Sequence, residues 1–269
     1  MVGQTNNLHI IDTWKEFNLF PSFIIISGEK GSGKKTLAAH IAKRMGGCVV
    51  TPGIGVDAVR EAIDNAYKCN ASTVSIFPDA DKMSPQAKNA LLKVTEEAPK
   101  RAYFIMTIEA EENMLRTLLS RAVRLRMEPY MTRELWKLCR DNTISSIART
   151  PGQVQTLQQM NVPEFVEYCD LLLHKLGTVS GVNAFKSANR LSFKEEQEGY
   201  DVALTLNCVQ ALANKEFCSG KHGPEERERY VKIMLCCCEY YRQLSINGIR
   251  KDSTFDMWIL EMRKIWQEE

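Results

Sequence analysis

Phe23-Ile-Ile-Ile-Ser-Gly-Glu-Lys-Gly-Ser-Gly-Lys-Lys-Thr-Leu-Ala-Ala-His-Ile-Ala-Lys43 is the stretch on which the reading of the fold turns. Phe23–Ser27 is a short apolar run of buried-strand character, Gly28–Thr36 is glycine-rich, and Leu37–Lys43 has a helical pattern. Strand, glycine loop and helix in that order form the context of a phosphate-binding P-loop. Gly28, Gly31 and Gly33, with Ser32 between the last two, let the backbone curl so that successive N–H groups converge on an anion. The helix start adds its positive dipole end. Lys34 falls where the phosphate-binding lysine belongs. The next position calls for a Ser or Thr hydroxyl as a Mg²⁺ ligand, but it is Lys35, and Thr36 arrives one place late. An ammonium there repels the cation. The loop therefore predicts a phosphate cradle whose metal chemistry is impaired.

Outward from that loop, residues 1–128 alternate strand and helix signals. Short β-branched and aromatic runs at Phe23–Ser27, Cys48–Thr51, Thr73–Phe77, Tyr103–Thr107 and Val123–Met127 predict strands. Helical patterns at Lys35–Met45, Val56–Cys69, Pro85–Glu97 and Glu111–Arg121 lie between them, with Ser84-Pro85 as a start signal. Alternation of this kind predicts a parallel sheet covered by helices. After Pro129 the strand signals fade. Short helices are expected from Thr132, which can cap a run to Arg140, near Ile144–Ala148, and at Val154–Met160 after the Pro151-Gly152 break. A longer helix is expected at Pro163–Leu176, then a linker over 177–192. The remainder reads as helices at Phe193–Ala213, Glu225–Leu244 and Ser253–Gln267, with a polar loop at Asn214–Gly223. The division expected is 1–128, 129–178 and 179–269.

Composition bounds the function. Net charge is +2, hydrophobic content 44% and charged content 25%, ordinary for a soluble globular protein and no global case for nucleic-acid binding. The nine cysteines form no CxxC pair, which reads as reduced, buried thiols in a cytoplasmic protein and not a metal site. The polar N-terminus has no signal-peptide pattern, and no apolar run approaches the ~20 residues of a membrane span. The four histidines are scattered and suggest neither a triad nor a ligand set.

A second segment narrows the reading. Val74-Ser-Ile-Phe-Pro-Asp-Ala-Asp-Lys-Met-Ser-Pro-Gln-Ala-Lys-Asn-Ala-Leu-Leu-Lys-Val-Thr-Glu-Glu-Ala-Pro99 resembles the second nucleotide motif of bacterial clamp-loader subunits. Thr117-Leu-Leu-Ser120-Arg121-Ala122 resembles that family's Ser-Arg-Cys segment; Phe20-Pro-Ser-Phe23 and Val56-Asp-Ala-Val-Arg60 also fit. The resemblance spans roughly residues 20–128, weakens through the short helices, and rests on order and helicity thereafter. Its departures point toward the delta-prime type of DNA polymerase III clamp-loader subunit. It implies an AAA+ α/β domain, a small helical lid and an all-helical C-terminal collar.

The resemblance also implies roles. The hydrolytic motif of the family ends in Asp-Glu, but here those places hold Pro78 and Asp79. Proline ligates no metal, and aspartate is one methylene shorter than the glutamate that orients water. The lid of the family offers a basic residue to the phosphates, but Gly152 and Gln153 occupy that stretch here and its positive charge is missing. Arg121 is kept, and its family counterpart is an arginine finger serving a neighbouring subunit's ATP site. Ala122 replaces the customary Cys, and residues 37–73 hold only Cys48 and Cys69, so the zinc module of many delta-prime subunits is absent.

The expectation is a non-hydrolysing subunit that needs no cofactor, leaves ATP or ADP binding open and holds Mg²⁺ poorly. Its implied partners are gamma/tau-type and delta subunits, and, through the complex, the sliding clamp and primed DNA; no membrane is implied. Taken singly the residues allow plainer readings. The glycine loop is then a simple turn, Arg121 a surface arginine, Asp79 and Asp81 structural, and Glu96-Glu97 a solvated helix end, although two acids there oppose the helix dipole and hint at a specific contact. Arg116, Arg121, Arg124 and Arg126 could face DNA or a neighbouring subunit, the neighbour being favoured. An active gamma-type ATPase, a stand-alone P-loop NTPase and a DNA-binding adaptor are the alternatives.

Overall fold

The structure, a computed structural model, describes residues 2–176, 200–244 and 250–267. Its compact units are Met1–Tyr130 and Met131–Glu269. The first is built on five strands: β1 (Phe23–Ser27), β2 (Cys48–Val50), β3 (Thr73–Phe77), β4 (Ala102–Ile108) and β5 (Val123–Arg126). All pair in parallel, in the order β2-β3-β4-β1-β5. Helices α1 (Thr5–Phe17), α2 (Lys34–Met45), α3 (Val56–Lys68), α4 (Pro85–Ala90), α5 (Leu92–Glu96) and α6 (Arg116–Leu119) complete the unit.

Strand alternation explains the layers. Phe23 and Ile25 of β1 join Phe77, Phe104 and Met106 in a core with Val59, Ala62, Ile63 and Leu91 from the helices. Ile24 and Ile26 point the other way, into a core with Ile11, Leu37, Ile41, Ile105 and Leu125. A strand buried on both faces has no polar side, so β1 reads as a continuous apolar run.

Several expectations need correction. The N-terminal stretch, which carried no helix expectation, forms α1. Its amide side chains bind the backbone leaving edge strand β5. Gln4 donates to Glu128 O (2.8 Å) and accepts from Glu128 N (2.8 Å), and Asn7 donates to Arg126 O (2.9 Å). The helix expected over Pro85–Glu97 is two, α4 and α5, meeting at Leu91. That expected over Glu111–Arg121 is a 3-10 turn, Glu111–Asn113, followed by the short α6.

The second unit is helical: α7 (Thr132–Cys139), α8 (Asn142–Ile147), α9 (Pro151–Gln158), α10 (Val162–Lys175), α11 (Val202–Cys218), α12 (Pro224–Gln243) and α13 (Lys251–Gln267). Thr132 is the first residue of α7 and not its cap; Met131 holds that place, its N–H donating to Glu134 Oε2 (2.9 Å). Asp141, Thr150 and Asp201 cap α8, α9 and α11 through their side chains. Helix α11 packs on α8, α10 and α12, and α12 packs on α13. Trp258 is fully buried in this unit and stacks on Phe255 (5.3 Å between centroids). Helix α11 runs on through Cys218, so the loop expected at Asn214–Gly223 is confined to its last residues. The expected linker over 177–192 and the helix start at 193 lie outside the described residues. The cysteines are all free, but Cys48, Cys69, Cys218 and Cys238 are exposed, against the expectation of burial.

Candidate nucleotide and arginine-finger sites

Gly28 follows β1, and its N–H donates to Ile108 O of β4 (3.2 Å). A Cβ at this position would lie 2.7 Å from Met127 Cβ, so the chain leaving β5 passes too close for any side chain. Gly31 and Gly33 have φ of 79° and 91°, in the left-handed region where glycine costs least. Gly33 is the N-cap of α2, so the first helical residue is Lys34. Ser32 is buried; its carbonyl accepts from the Tyr130 hydroxyl (2.8 Å), while its Oγ has no hydrogen-bond partner among the described residues.

Lys34 is buried, and its Nζ donates to Gly28 O (2.6 Å) and Glu29 O (2.8 Å). Burial pushes its pKa below the ordinary lysine value, and the carboxylates of Glu109, Asp79 and Asp81 pull it partly back. Lys35 behaves differently. Its side chain is 63% exposed, and its Nζ lies 2.9 Å from Asp79 Oδ2. Thr36 is exposed on α2.

The second motif follows β3. Pro78 is half-buried and offers no N–H and no ligand. Asp79 has φ of 52°, a conformation aspartate tolerates better than most residues, and leads into the 3-10 turn Ala80–Lys82. Its N–H donates to Thr107 Oγ1 on β4 (3.1 Å). Partial burial pushes the Asp79 carboxyl up, but the hydrogen bond and charge of Lys35, with Lys82 and Lys34 behind it, hold it below the usual value. Asp81 is buried, and its Oδ2 accepts from Glu109 N (3.3 Å). Buried Lys88 donates to Asp81 O (2.8 Å) and Asn113 O (2.7 Å), joining the two 3-10 turns.

A phosphate fits this loop: glycine-bent backbone, helix start and buried lysine converge there. Magnesium does not. Mg²⁺ at such a site takes a hydroxyl, carboxylates and phosphate oxygens. Here the hydroxyl position carries a cation, and that cation holds the Asp79 carboxylate.

Arg121 follows α6. Its Nη1 donates to Thr117 O (2.8 Å) and its Nη2 to Glu96 Oε1 (2.8 Å), with the side chain 35% exposed. Glu96 at the end of α5 is thus an ion-pair partner and not a merely solvated helix end. Arg124 pairs with Glu111 (3.1 Å), which also accepts from Ser27 Oγ (3.3 Å), and Arg126 is exposed. The loop residues, Lys35 and Asp79 therefore come together, and Arg121 belongs to a separate pair.

Thr107 and Tyr130 enter the sites only through tertiary contact. Arg149 was overlooked as well. It lies just before Pro151-Gly152, the first residues of α9, in the stretch read as lacking positive charge. Its guanidinium stacks over the Tyr241 ring (4.1 Å) and bonds Gln210 Oε1. Gln153 donates to the Tyr241 hydroxyl (3.2 Å). Both residues therefore tie α9 to the rest of the helical unit.

Residues 50–131, from the end of β2 past β5, match the sequence model of a family described as DNA polymerase III, delta subunit. DNA polymerase III subunit delta' of Yersinia pestis is 37% identical over 81 residues, covering 27% of this chain and 24% of that one. The chain is delta-prime-like. Replication factor C subunit 4 of Arabidopsis thaliana is 21% identical over 216 residues, 67% of this chain and 64% of the relative. The delta-prime-like chain thus matches less than two thirds of the length of either relative. The RuvB Holliday junction branch migration motor of Thermotoga maritima superposes with a TM-score of 0.50 over 83% of this chain and 78% of that one, at 14% identity. That similarity is one of fold: an AAA+ P-loop sheet followed by helices. No helix among the described residues is long and apolar enough to cross a membrane.

Proposed function

We propose that this protein is a non-hydrolysing, delta-prime-like subunit of the DNA polymerase III sliding-clamp loader. It assembles in the cytoplasm with gamma/tau-type and delta subunits, residues 129–178 forming a lid and 179–269 a collar. In the complex it lends Arg121 to a neighbouring subunit's ATP site while the clamp is placed on primed DNA. The observation that carries this reading is the Lys35–Asp79 ion pair at 2.9 Å. The position that would supply the magnesium-binding hydroxyl holds instead the carboxylate at the water-orienting position, and Pro78 offers no ligand, so the chain's own site is poorly built for the metal that bridges β- and γ-oxygens. Half-exposed Arg121 is not tied to that cluster, and its hydrogen bonds run to Thr117 and Glu96.

The test is reconstitution with the host's gamma-type and delta subunits, followed by comparison of wild type with Arg121→Ala. The expected result is an intact complex in which one ATP site slows by about 10³-fold, at the lower end for an arginine finger. Unchanged turnover at every site would remove the finger assignment. Steady ATP hydrolysis by the isolated chain, abolished by Lys34→Ala, would establish the gamma-type alternative instead.

A further inference from the structure

Lys35 does more than exclude a metal. An ammonium has three donors and no lone pair, so it cannot be a ligand but can do what a cation does for a phosphate: neutralise and hydrogen-bond it. The Lys35 bond to Asp79 uses one of those donors, and the side chain remains 63% exposed. Beside it lie the left-handed glycines 31 and 33, the start of α2 and the buried Lys34 ammonium. The carboxylate at the water-orienting position of the second motif here orients a positive charge built into the chain.

We propose that Lys35 is an internal replacement for the divalent cation, and that the loop Gly28–Thr36 binds a diphosphate group in its metal-free form. The ligand class is a nucleoside di- or triphosphate or inorganic pyrophosphate, which share that group. Magnesium coordinated to the incoming phosphates would meet the Lys35 ammonium at close range, so the metal-bound ligand is the disfavoured one. Asp79, Asp81 and Glu109 lie near enough to Lys34 to affect its charge, and these carboxylates also oppose a polyphosphate. Binding should therefore be moderate, and it should tighten when Asp79 loses its charge. A diphosphate held without metal is not hydrolysed and acts as a structural part of the loop. This inference rests on the same reading of Lys35 and Asp79 as the proposed function but not on Arg121, so the Arg121→Ala experiment can fail while this one succeeds, and the reverse.

The experiment is calorimetric titration of the full chain with ADP, ATP and pyrophosphate, each in excess EDTA and in excess Mg²⁺. The expected result is binding in EDTA that is equal to or tighter than binding in Mg²⁺. Lys35→Ser, an exposed position whose folding is checked by circular dichroism, should weaken binding in EDTA and make Mg²⁺ improve it by about tenfold, a difference readily read in an equilibrium constant. Asp79→Asn should tighten binding in EDTA. Equal affinities for ADP and pyrophosphate would assign the contact to the phosphates alone; tighter ADP would support the proposal with a nucleoside contact added. Wild-type binding that requires Mg²⁺, no binding of any of the three ligands, or a Lys35→Ser variant with unchanged metal response would overturn it.

Discussion

Two ion pairs of nearly equal length mark the two ends of the chemistry in the sheet unit. Lys35 meets Asp79 at 2.9 Å, and Arg121 meets Glu96 at 2.8 Å. The first joins two positions of the chain's own nucleotide motifs, so each neutralises the other where a metal would otherwise be organised. The second anchors a planar guanidinium through a backbone carbonyl and a helix-end carboxylate, neither of which belongs to the P-loop. Glu96 sits where a negative charge opposes the helix dipole, and Arg121 offsets that cost. The same interaction therefore closes one site upon itself and holds the other group in a defined place.

The largest effect that could break this comparison comes from Arg121→Lys. Charge survives, but the rigid fork does not, so turnover at the neighbouring site of the reconstituted complex should still fall by about 10³-fold. Full activity with lysine would reduce Arg121 to a surface charge. Gly28→Ala tests the other end. Its Cβ would lie 2.7 Å from Met127 Cβ, and overpacking of this kind costs about 1–3 kcal/mol, read from the denaturant midpoint. A midpoint equal to that of wild type would mean that the chain after β5 yields easily. Glu96→Gln should move stability by less than about 1 kcal/mol, as an exposed pair does. Its turnover loss in the complex should be smaller than that of Arg121→Lys; an equal loss would make Glu96 indispensable to the finger.

The smallest effect is the pH dependence of the Lys35–Asp79 pair. The folded Asp79 carboxyl lies below its ordinary value of 3.8, so the pair's stabilisation is complete above that value. It fades as pH falls through the lowered folded value. Because Lys35 is largely exposed, Lys35→Met should cost less than about 1 kcal/mol at neutral pH. The gap between the two melting curves should close at acid pH, and a gap that widens there would contradict the pairing.

Much of this was legible because local rules govern it. The apolar run Phe23–Ser27, the glycines and Lys34 act within a few residues of one another, and β1, the loop and α2 follow directly. Helix α1 was not legible. Its polar start is explained only by Gln4 and Asn7 binding the backbone at and just beyond the end of β5, more than 100 residues away in sequence. The Lys35–Asp79 pair was half legible. Each residue stood out as a lost catalytic feature, but their mutual bond spans 44 positions of sequence. Arg149 was missed because a guanidinium just before the Pro-Gly start of a helix gives no sign that a ring from α12 lies beneath it.

The sequence by itself determined the loop and the loss of the hydroxyl and carboxylate from its two expected metal-ligand positions, because glycine freedom, a proline without a side-chain oxygen and an ammonium without lone pairs are properties of single residues. Only the tertiary structure decided what those residues hold. The order β3-β4-β1 sets the ends of β3 and β1 on either side of β4, and that placement lets Asp79 meet Lys35. The meeting of Arg121 with Glu96 likewise joins α5 to the turn after α6. Charge attraction falls off with distance and solvent screening, so it selects a partner only after hydrophobic packing of the strands and helices has brought the groups within reach.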